Sequence, residues 1–165
     1  MTYRILKEND VSDIMELQNM IIDRLPDKDL LRKNSSDMFR QVINSGACCI
    51  GVYDGENLVA CGLSHLCQGS EEDLSMHLEN HTCTNPVNMK SVMVHPDYRG
   101  KGLQRALMKM IEDDLRQRGF DAMICTVSPS NEHSVRNVLA MNYEFDHQEV
   151  KYESLLRYIY IKKLL

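Results

Sequence analysis

The stretch from Met89 to Leu107 constrains the fold of this chain more than any other. It reads Met-Lys-Ser-Val-Met-Val-His-Pro-Asp-Tyr-Arg-Gly-Lys-Gly-Leu-Gln-Arg-Ala-Leu, typical of a short apolar strand, a turn at Pro96, a glycine-rich loop and the start of a helix. Such a loop leaves backbone N–H groups without partners, and the helix dipole places positive charge behind them. The pattern therefore predicts an anion site, above all a phosphate site, between a strand and a helix.

The overall charge indicates that any anion site is small and local. The 165 residues carry a formal net charge of −5, which argues against a broad nucleic-acid surface. Against this acidic background, Arg99, Lys101 and Arg105 form a local basic cluster. With 43% hydrophobic and 26% charged residues, we expect a single folded domain over residues 1–165.

The sequence predicts a cytoplasmic protein without a membrane partner. The N-terminus lacks a charged-then-apolar signal pattern, and no apolar run approaches the roughly 18 residues of a membrane helix. The six cysteines lack disulfide-framework spacing, so reduced thiols are expected. Both a monomer and a homodimer are compatible with the sequence.

The residues before the glycine loop predict a strand, two helices and a hairpin, followed by a polar excursion at Gln68 to Pro86 that cannot bury a core alone. Helical spacing of apolar residues, capping residues and turn residues define these elements. In order they are a strand at Thr2 to Leu6, a helix from Val11 to Leu25, a helix from Asn34–Ser36 to Gly46, and hairpin strands at Cys48 to Tyr53 and Leu58 to Leu66. Within the excursion, Glu71 to Leu78 is a candidate short helix.

The residues after the excursion predict alternating strands and helices, which indicates a mixed sheet with helices on its faces. The predicted elements are a strand at Val92 to Val94, a helix from Leu103 to Gly119, a strand at Ala122 to Val127, a helix from Ser130 or Asn131 to Met141, and strands near Tyr143 to Val150 and Leu156 to Lys162.

Two motifs in this order resemble the GNAT superfamily of N-acetyltransferases. The first is Val92 to Gln104, which is similar to the family's pyrophosphate signature of Arg or Gln, two residues, Gly, one residue, then Gly or Ala. Arg99 and Gly102 occupy the first two slots, and Gln104 departs from the third.

The second motif begins at Asn131 and resembles the family's Asn, two residues, then Ala or Ser, here Ser134. The helix that follows closes on Asn142 and Tyr143, where the family has a Gly-aromatic pair. The resemblance covers nearly the whole chain in element order. It implies an α/β (α+β) fold with a GNAT-like mixed, mostly antiparallel central sheet of about six to seven strands flanked by about four helices.

The resemblance further implies acetyl-CoA as the acyl donor. The pyrophosphate suits the backbone amides of the glycine loop, because glycines allow close approach. Backbone groups near Val92 to Val94 would pair with the pantetheine arm, and Asn131 and Ser134 would face it from the other side. The implied cofactor-binding residues are Val92, Met93, Val94, Arg99, Gly100, Lys101, Gly102, Leu103, Gln104, Asn131 and Ser134.

The implied activity is transfer of an acetyl group to a primary amine of a small molecule or peptide, by direct attack in a ternary complex. The alternative is a catalytically weak acyl-CoA-binding regulatory module. Val138 motivates the alternative, because the resemblance predicts a tyrosine acid there. No general base is identifiable: His65 and the run Glu71 to Asp73 are candidates, but a partly buried histidine and a solvated charge run are the favoured explanations.

Other motif readings are weaker. A dinucleotide site fails because Arg105 occupies the third glycine position, and a P-loop lacks its Gly-Lys-Ser/Thr ending. On a helix, His77 and His81 would share a face and, with Cys83, could hold zinc, but no second paired motif is present and no metal is assigned. The acidic excursion is compatible with a cationic acceptor and also with a solvated surface.

Overall fold

A computed structural model describes residues 1–165, and it contains one seven-stranded sheet and four α-helices. The elements are β1 (Thr2–Ile5), α1 (Val11–Arg24), α2 (Ser36–Asn44), β2 (Cys49–Asp54), β3 (Asn57–His65), β4 (Pro86–Val94), α3 (Leu103–Gln117), β5 (Ala122–Val127), α4 (Glu132–Ala140), β6 (Glu144–Lys151) and β7 (Leu155–Lys163). This confirms the predicted fold class. No α-helix is both long enough and apolar enough to span a membrane.

The strands lie in the order β1-β2-β3-β4-β5-β7-β6, and only β4 and β5 are parallel. The predicted strand at Val92 to Val94 is present, but it begins earlier than predicted, at Pro86. The first part of the strand contains the polar residues Asn88, Lys90 and Ser91, so it does not read as an apolar run. The predicted short helix at Glu71 to Leu78 is only a 3₁₀ turn, Leu74–His77.

Helices cover both faces of the sheet. On one face, α3 places Leu107, Ile111 and Leu115 in a core with residues of β2 to β5. Gly62 of β3 permits this close packing, since a Cβ there would lie 2.7 Å from Cδ1 of Ile111. On the other face, α1 and α2 pack against β2, β3 and β4.

The excursion between β3 and β4 packs on the same face as α1, where Leu74 contacts apolar residues of β5 and β7. The fully buried carboxylate of Asp146 on β6 holds it there. This carboxylate accepts hydrogen bonds from the backbone N–H groups of Glu79 (2.8 Å) and Asn80 (2.9 Å). It also contacts Nδ1 of His81 at 2.8 Å and Nδ1 of His147 at 2.5 Å. The excursion is therefore anchored against this face of the sheet.

Candidate active site

The two parallel strands separate along their length and leave a gap in the sheet. β4 and β5 pair only through Pro86–Ala122, Val87–Met123 and Asn88–Ile124. Beyond these pairs, β4 continues to Val94 and β5 to Val127 without pairing to each other. Backbone groups that face this gap are available to a ligand that lies between the strands.

The pairing of β4 with β3 determines which residues face the gap. The N–H of His95 donates to the carbonyl of Val59 at 2.8 Å, which fixes the phase of the antiparallel ladder. Because bonded and non-bonded pairs alternate, Met93 bonds toward β3, whereas Val92 and Val94 direct their N–H and C=O groups toward the gap. The register shifts at Lys90, where β4 carries an extra residue.

The glycine loop forms a set of free donors at the end of the gap. The backbone N–H groups of residues 100–104 donate to no protein acceptor, and α3 begins directly behind them at Leu103. Gly100 has φ +78° and Gly102 has φ +73°, a conformation that glycine adopts without strain. We call residues 100–104 the amide cradle. Its donors and the dipole of α3 favour an anion.

The side chains around the amide cradle add positive charge and rigidity. Arg99 and Lys101 are exposed, and Arg99 makes no ion pair within the protein. Nζ of Lys101 lies 5.1 Å from the ring centroid of Tyr98. The Tyr98 hydroxyl donates to Asp54 at 2.5 Å, so the loop is tied to the β2–β3 turn. Tyr98 therefore supports the loop.

Helix α4 starts after β5, and so at the same end of the gap as α3. Oδ1 of Asn131 accepts the backbone N–H of Ser134 at 3.2 Å and caps this helix. Asn137 was missed by the sequence reasoning: it accepts from Nε of Arg105 at 2.9 Å and donates to Oε1 of Gln104 at 2.7 Å. Asn137 thus joins α4 to the start of α3, and it gives Gln104 a partner at the position that departs from the family signature.

A cleft of about 240 Å³ lies on the opposite face from α3, where the gap begins. The excursion, β4, β5 and the end of β6 supply its walls. Its lining residues include Glu72, His77, Asn88, Met89, Lys90, Thr126, Glu149, Lys151 and Tyr152. A molecule in this cleft reaches the gap from the side opposite the amide cradle.

Of the base candidates from the sequence analysis, Glu71 is exposed at the rim of the cleft, whereas Glu72, Asp73 and His65 are paired or buried. Glu72 pairs with Lys90 at 3.0 Å and with Arg32 at 3.3 Å. Burial alone would raise the pKa of the Glu72 carboxyl, but these two cations outweigh it and lower the pKa. Asp73 accepts the N–H groups of Gly69 (2.7 Å) and Ser75 (2.9 Å), a turn-forming role.

His65 is 2% exposed, and its Nδ1 has no hydrogen-bond partner. Burial, together with the charge of Lys90, lowers the pKa of this imidazole. His65 does not line the cleft. It is therefore a buried neutral histidine beneath the site.

Val138, where the resemblance predicts a tyrosine acid, and Tyr143, at the end of the second motif, both belong to the core. Val138 is 3% exposed and packs in the core beneath α3. The Tyr143 hydroxyl donates to Glu112 at 2.9 Å, and Glu112 pairs with Lys162 at 2.6 Å. Burial raises the pKa of Tyr143 well above its usual value. Tyr143 therefore serves packing and not the edge of a cofactor.

The idea that His77 and His81 share a helix face was wrong, because the 3₁₀ turn ends at His77. His81 lies between Asp146 (2.8 Å) and Glu144 (2.9 Å), and hydrogen bonds to both raise its pKa. No group of three or more His, Cys, Asp or Glu side chains is placed to hold a metal ion. All six cysteines are free thiols.

Residues 13–141 match the family model described as acetyltransferase (GNAT) family. One segment is 34% identical over 56 residues to an acetyltransferase of Photorhabdus laumondii, a match that spans 34% of this chain and 39% of that protein. YncA of Salmonella typhimurium, solved with its cofactor acetyl-CoA, has TM-score 0.73 at 19% identity over 100% of this chain and 94% of its own. The Escherichia coli ribosomal-protein-S18-alanine N-acetyltransferase has TM-score 0.74 at 15% identity, over 99% and 93%. These structural likenesses show the fold.

Proposed function

The chain belongs to the GNAT family of acetyltransferases, and from this premise we propose that it transfers an acetyl group from acetyl-CoA to a primary amine of a small molecule or peptide. The observation that carries the proposal is the gap between β4 and β5, closed at one end by the amide cradle. Acetyl-CoA combines an extended arm with a pyrophosphate. The gap offers strand-like backbone partners to the arm, and the cradle offers donors to the pyrophosphate.

On the donor side, Val92 and Val94 supply backbone groups to the pantetheine arm, which lies between the strands like a missing strand. The N–H groups of the amide cradle, residues 100–104, hold the pyrophosphate, with the Arg99 and Lys101 side chains nearby as cations. Met93 bonds toward β3 on the opposite side of β4 and so holds this strand in the sheet. Asn131 and Ser134 flank the arm from the start of α4.

On the acceptor side, the amine enters from the cleft on the opposite face and attacks the thioester carbon directly. A backbone N–H near Val92 to Val94 polarises the thioester carbonyl and stabilises the oxyanion that develops on it. Holding both reactants in one gap supplies proximity and orientation. Coenzyme A leaves as a thiol with a pKa near ~8.5, which is a fair leaving group even without a tyrosine at Val138.

The proposal is tested by titrating the protein with acetyl-CoA and then measuring thiol release with a panel of amines. The panel contains spermidine, free lysine, and peptides with a free N-terminus or an internal lysine. We expect saturable acetyl-CoA binding, thiol release that depends on an amine, and a product heavier by one acetyl group in mass spectrometry. Absence of acetyl-CoA binding would refute the cofactor assignment.

The second candidate is a regulatory module that binds acyl-CoA without turnover. It is favoured by the absence of a tyrosine at Val138, a position that is buried in the core. The two candidates differ in one result, because only the enzyme releases thiol when an amine is added. Retained binding with no thiol release across the panel would favour the regulatory module.

Arg99→Glu is expected to weaken acetyl-CoA binding by roughly threefold to tenfold, because it replaces a cation beside the pyrophosphate by an anion. The effect should shrink at high salt, since Arg99 is exposed. Isothermal titration at low and high salt measures it. The matched control is Arg40→Glu on α2, which reverses another exposed charge away from the amide cradle and should leave the affinity unchanged.

A further inference from the structure

Two buried side-chain polar atoms in the protein have no hydrogen-bond partner, Nδ1 of His65 and Oε1 of Glu149. Buried polar atoms are normally satisfied, so each exception calls for an explanation. Glu149 lines the cleft, whereas His65 does not. Glu149 is therefore an available acceptor at the place where an amine would enter.

The register of three strands places Glu149 on the cleft side of the sheet. Ile159 of β7 lies opposite both Thr126 of β5 and His147 of β6, so these residues form one row on the same face. Glu149 follows His147 by two residues and shares this face. This row crosses the sheet beside the point where β4 and β5 separate.

A line of three side chains leads from the buried interior to Glu149. Nδ1 of His147 lies 2.5 Å from Oδ2 of Asp146, and Nε2 of His147 lies 3.5 Å from Oε1 of Glu149. The Asp146 carboxylate can only accept, so Nδ1 of His147 carries the proton and donates it. Nε2 of His147 then faces a carboxylate oxygen of Glu149. These two atoms can share one proton.

The other charged groups around this pair leave Oε1 of Glu149 without a hydrogen-bond donor. Nζ of Lys151 forms an ion pair with it at 3.5 Å, a distance too long for a normal hydrogen bond. Arg157, opposite Glu149 on β7, donates to the carbonyls of Asp29 and Leu156. Lys90 pairs with Glu72. The remaining ionisable residues of the cleft wall are Glu71, His77 and Tyr152.

We propose that Glu149 is the general base of the transfer reaction and that His147 is a positioning residue that shares the proton with it. The inference rests on the proposed function. The acceptor ammonium loses one proton to the Glu149–His147 pair, and the amine nitrogen forms a bond to the thioester carbon. The carbon–sulfur bond breaks with its electron pair on sulfur. The second proton of the nitrogen ends on the coenzyme A thiolate, and the proton held by the pair is released to solvent.

The test compares Glu149→Gln with the wild-type full chain, using the panel amine with the highest kcat/KM and following thiol release from about pH 6 to about pH 10. We expect kcat/KM to fall about 100-fold near neutral pH, the usual contribution of a general base. The loss should shrink as pH approaches ~10.4, where half of a lysine-type amine is already unprotonated in solution and does not need the base to remove its first proton. The Kd of acetyl-CoA should not change.

Glu149→Asp keeps the carboxylate one methylene farther away and should recover part of the activity near neutral pH. The matched control is Glu16→Gln, an exposed residue on α1 without an ion pair, which should behave as wild type. If Glu149→Gln keeps the wild-type kcat/KM, or loses the same factor in kcat/KM at every pH, Glu149 is not the general base. The proposed acetyl transfer would be unaffected by that result. If the wild-type chain acetylates no amine of the panel, the proposed function fails, and this inference fails with it.

Discussion

Gly102→Val is expected to weaken acetyl-CoA binding by about 100-fold, or about 2.7 kcal/mol. Gly102 precedes α3 with φ +73°, where a side chain costs roughly 1–2 kcal/mol. A Cβ at this position would meet no protein atom within 4 Å, so the expected loss does not come from a clash inside the protein. Either the loop keeps its conformation and valine occupies the space over the amide cradle, or the loop relaxes and its N–H groups diverge.

The control for this variant is Gly46→Val. Gly46 has φ +88°, also without a neighbour within 4 Å of an added Cβ, but it follows α2 and lies away from the amide cradle. Both variants should lose similar stability in thermal unfolding, and only Gly102→Val should lose affinity in a titration. Unchanged affinity in Gly102→Val would show that the cradle does not hold the pyrophosphate.

Asp146→Ala is expected to lower the free energy of unfolding by about 3–5 kcal/mol, because it leaves buried donors of the excursion and of His147 unpaired. Chemical denaturation measures this loss, and hydrogen exchange should show faster opening at Glu79 and Asn80. The matched control is Glu144→Gln, which removes only the exposed carboxylate partner of His81 and should cost less than about 1 kcal/mol. Equal losses in the two variants would contradict the anchoring role of Asp146.

The pKa of Asp146 determines how the difference in unfolding free energy between wild type and Asp146→Ala changes with pH. Burial alone would raise the pKa of Asp146, but hydrogen bonds from Glu79, His81 and His147 outweigh it and hold the pKa well below its usual range. A lowered folded-state pKa gives stability that is complete above the unfolded value of about 3.9 and is lost as pH falls toward the folded value. The difference in unfolding free energy between wild type and Asp146→Ala should therefore narrow as pH falls below about 4. A difference that stays constant would mean that the charge of Asp146 is unimportant.

The donor side of the site was predictable from the sequence because it depends on the backbone. The order of strand, glycine loop and helix fixes where N–H groups remain free, and the positive φ values of Gly100 and Gly102 agree with that reading. Asn131 caps α4 as expected.

The acceptor side was not predictable because it depends on contacts between residues distant in sequence. Asp146 anchors excursion residues that lie more than sixty positions before it in the sequence. Nothing in the local pattern around His77 and His81 indicates this anchoring contact. Glu149 lies in a polar strand that reads as an ordinary solvated edge. Only the register of β5, β7 and β6 shows that Glu149 shares a face with Thr126 and the gap.

The central claim is that the gap between β4 and β5 holds acetyl-CoA for transfer to an amine. The most direct measurement is thiol release from acetyl-CoA by the full chain and by Gly102→Val, with and without the amine panel. The account predicts amine-dependent thiol release and an acetylated product for wild type, with a strongly raised KM for acetyl-CoA in the variant. Acetyl-CoA binding and turnover that are the same in both proteins would contradict it.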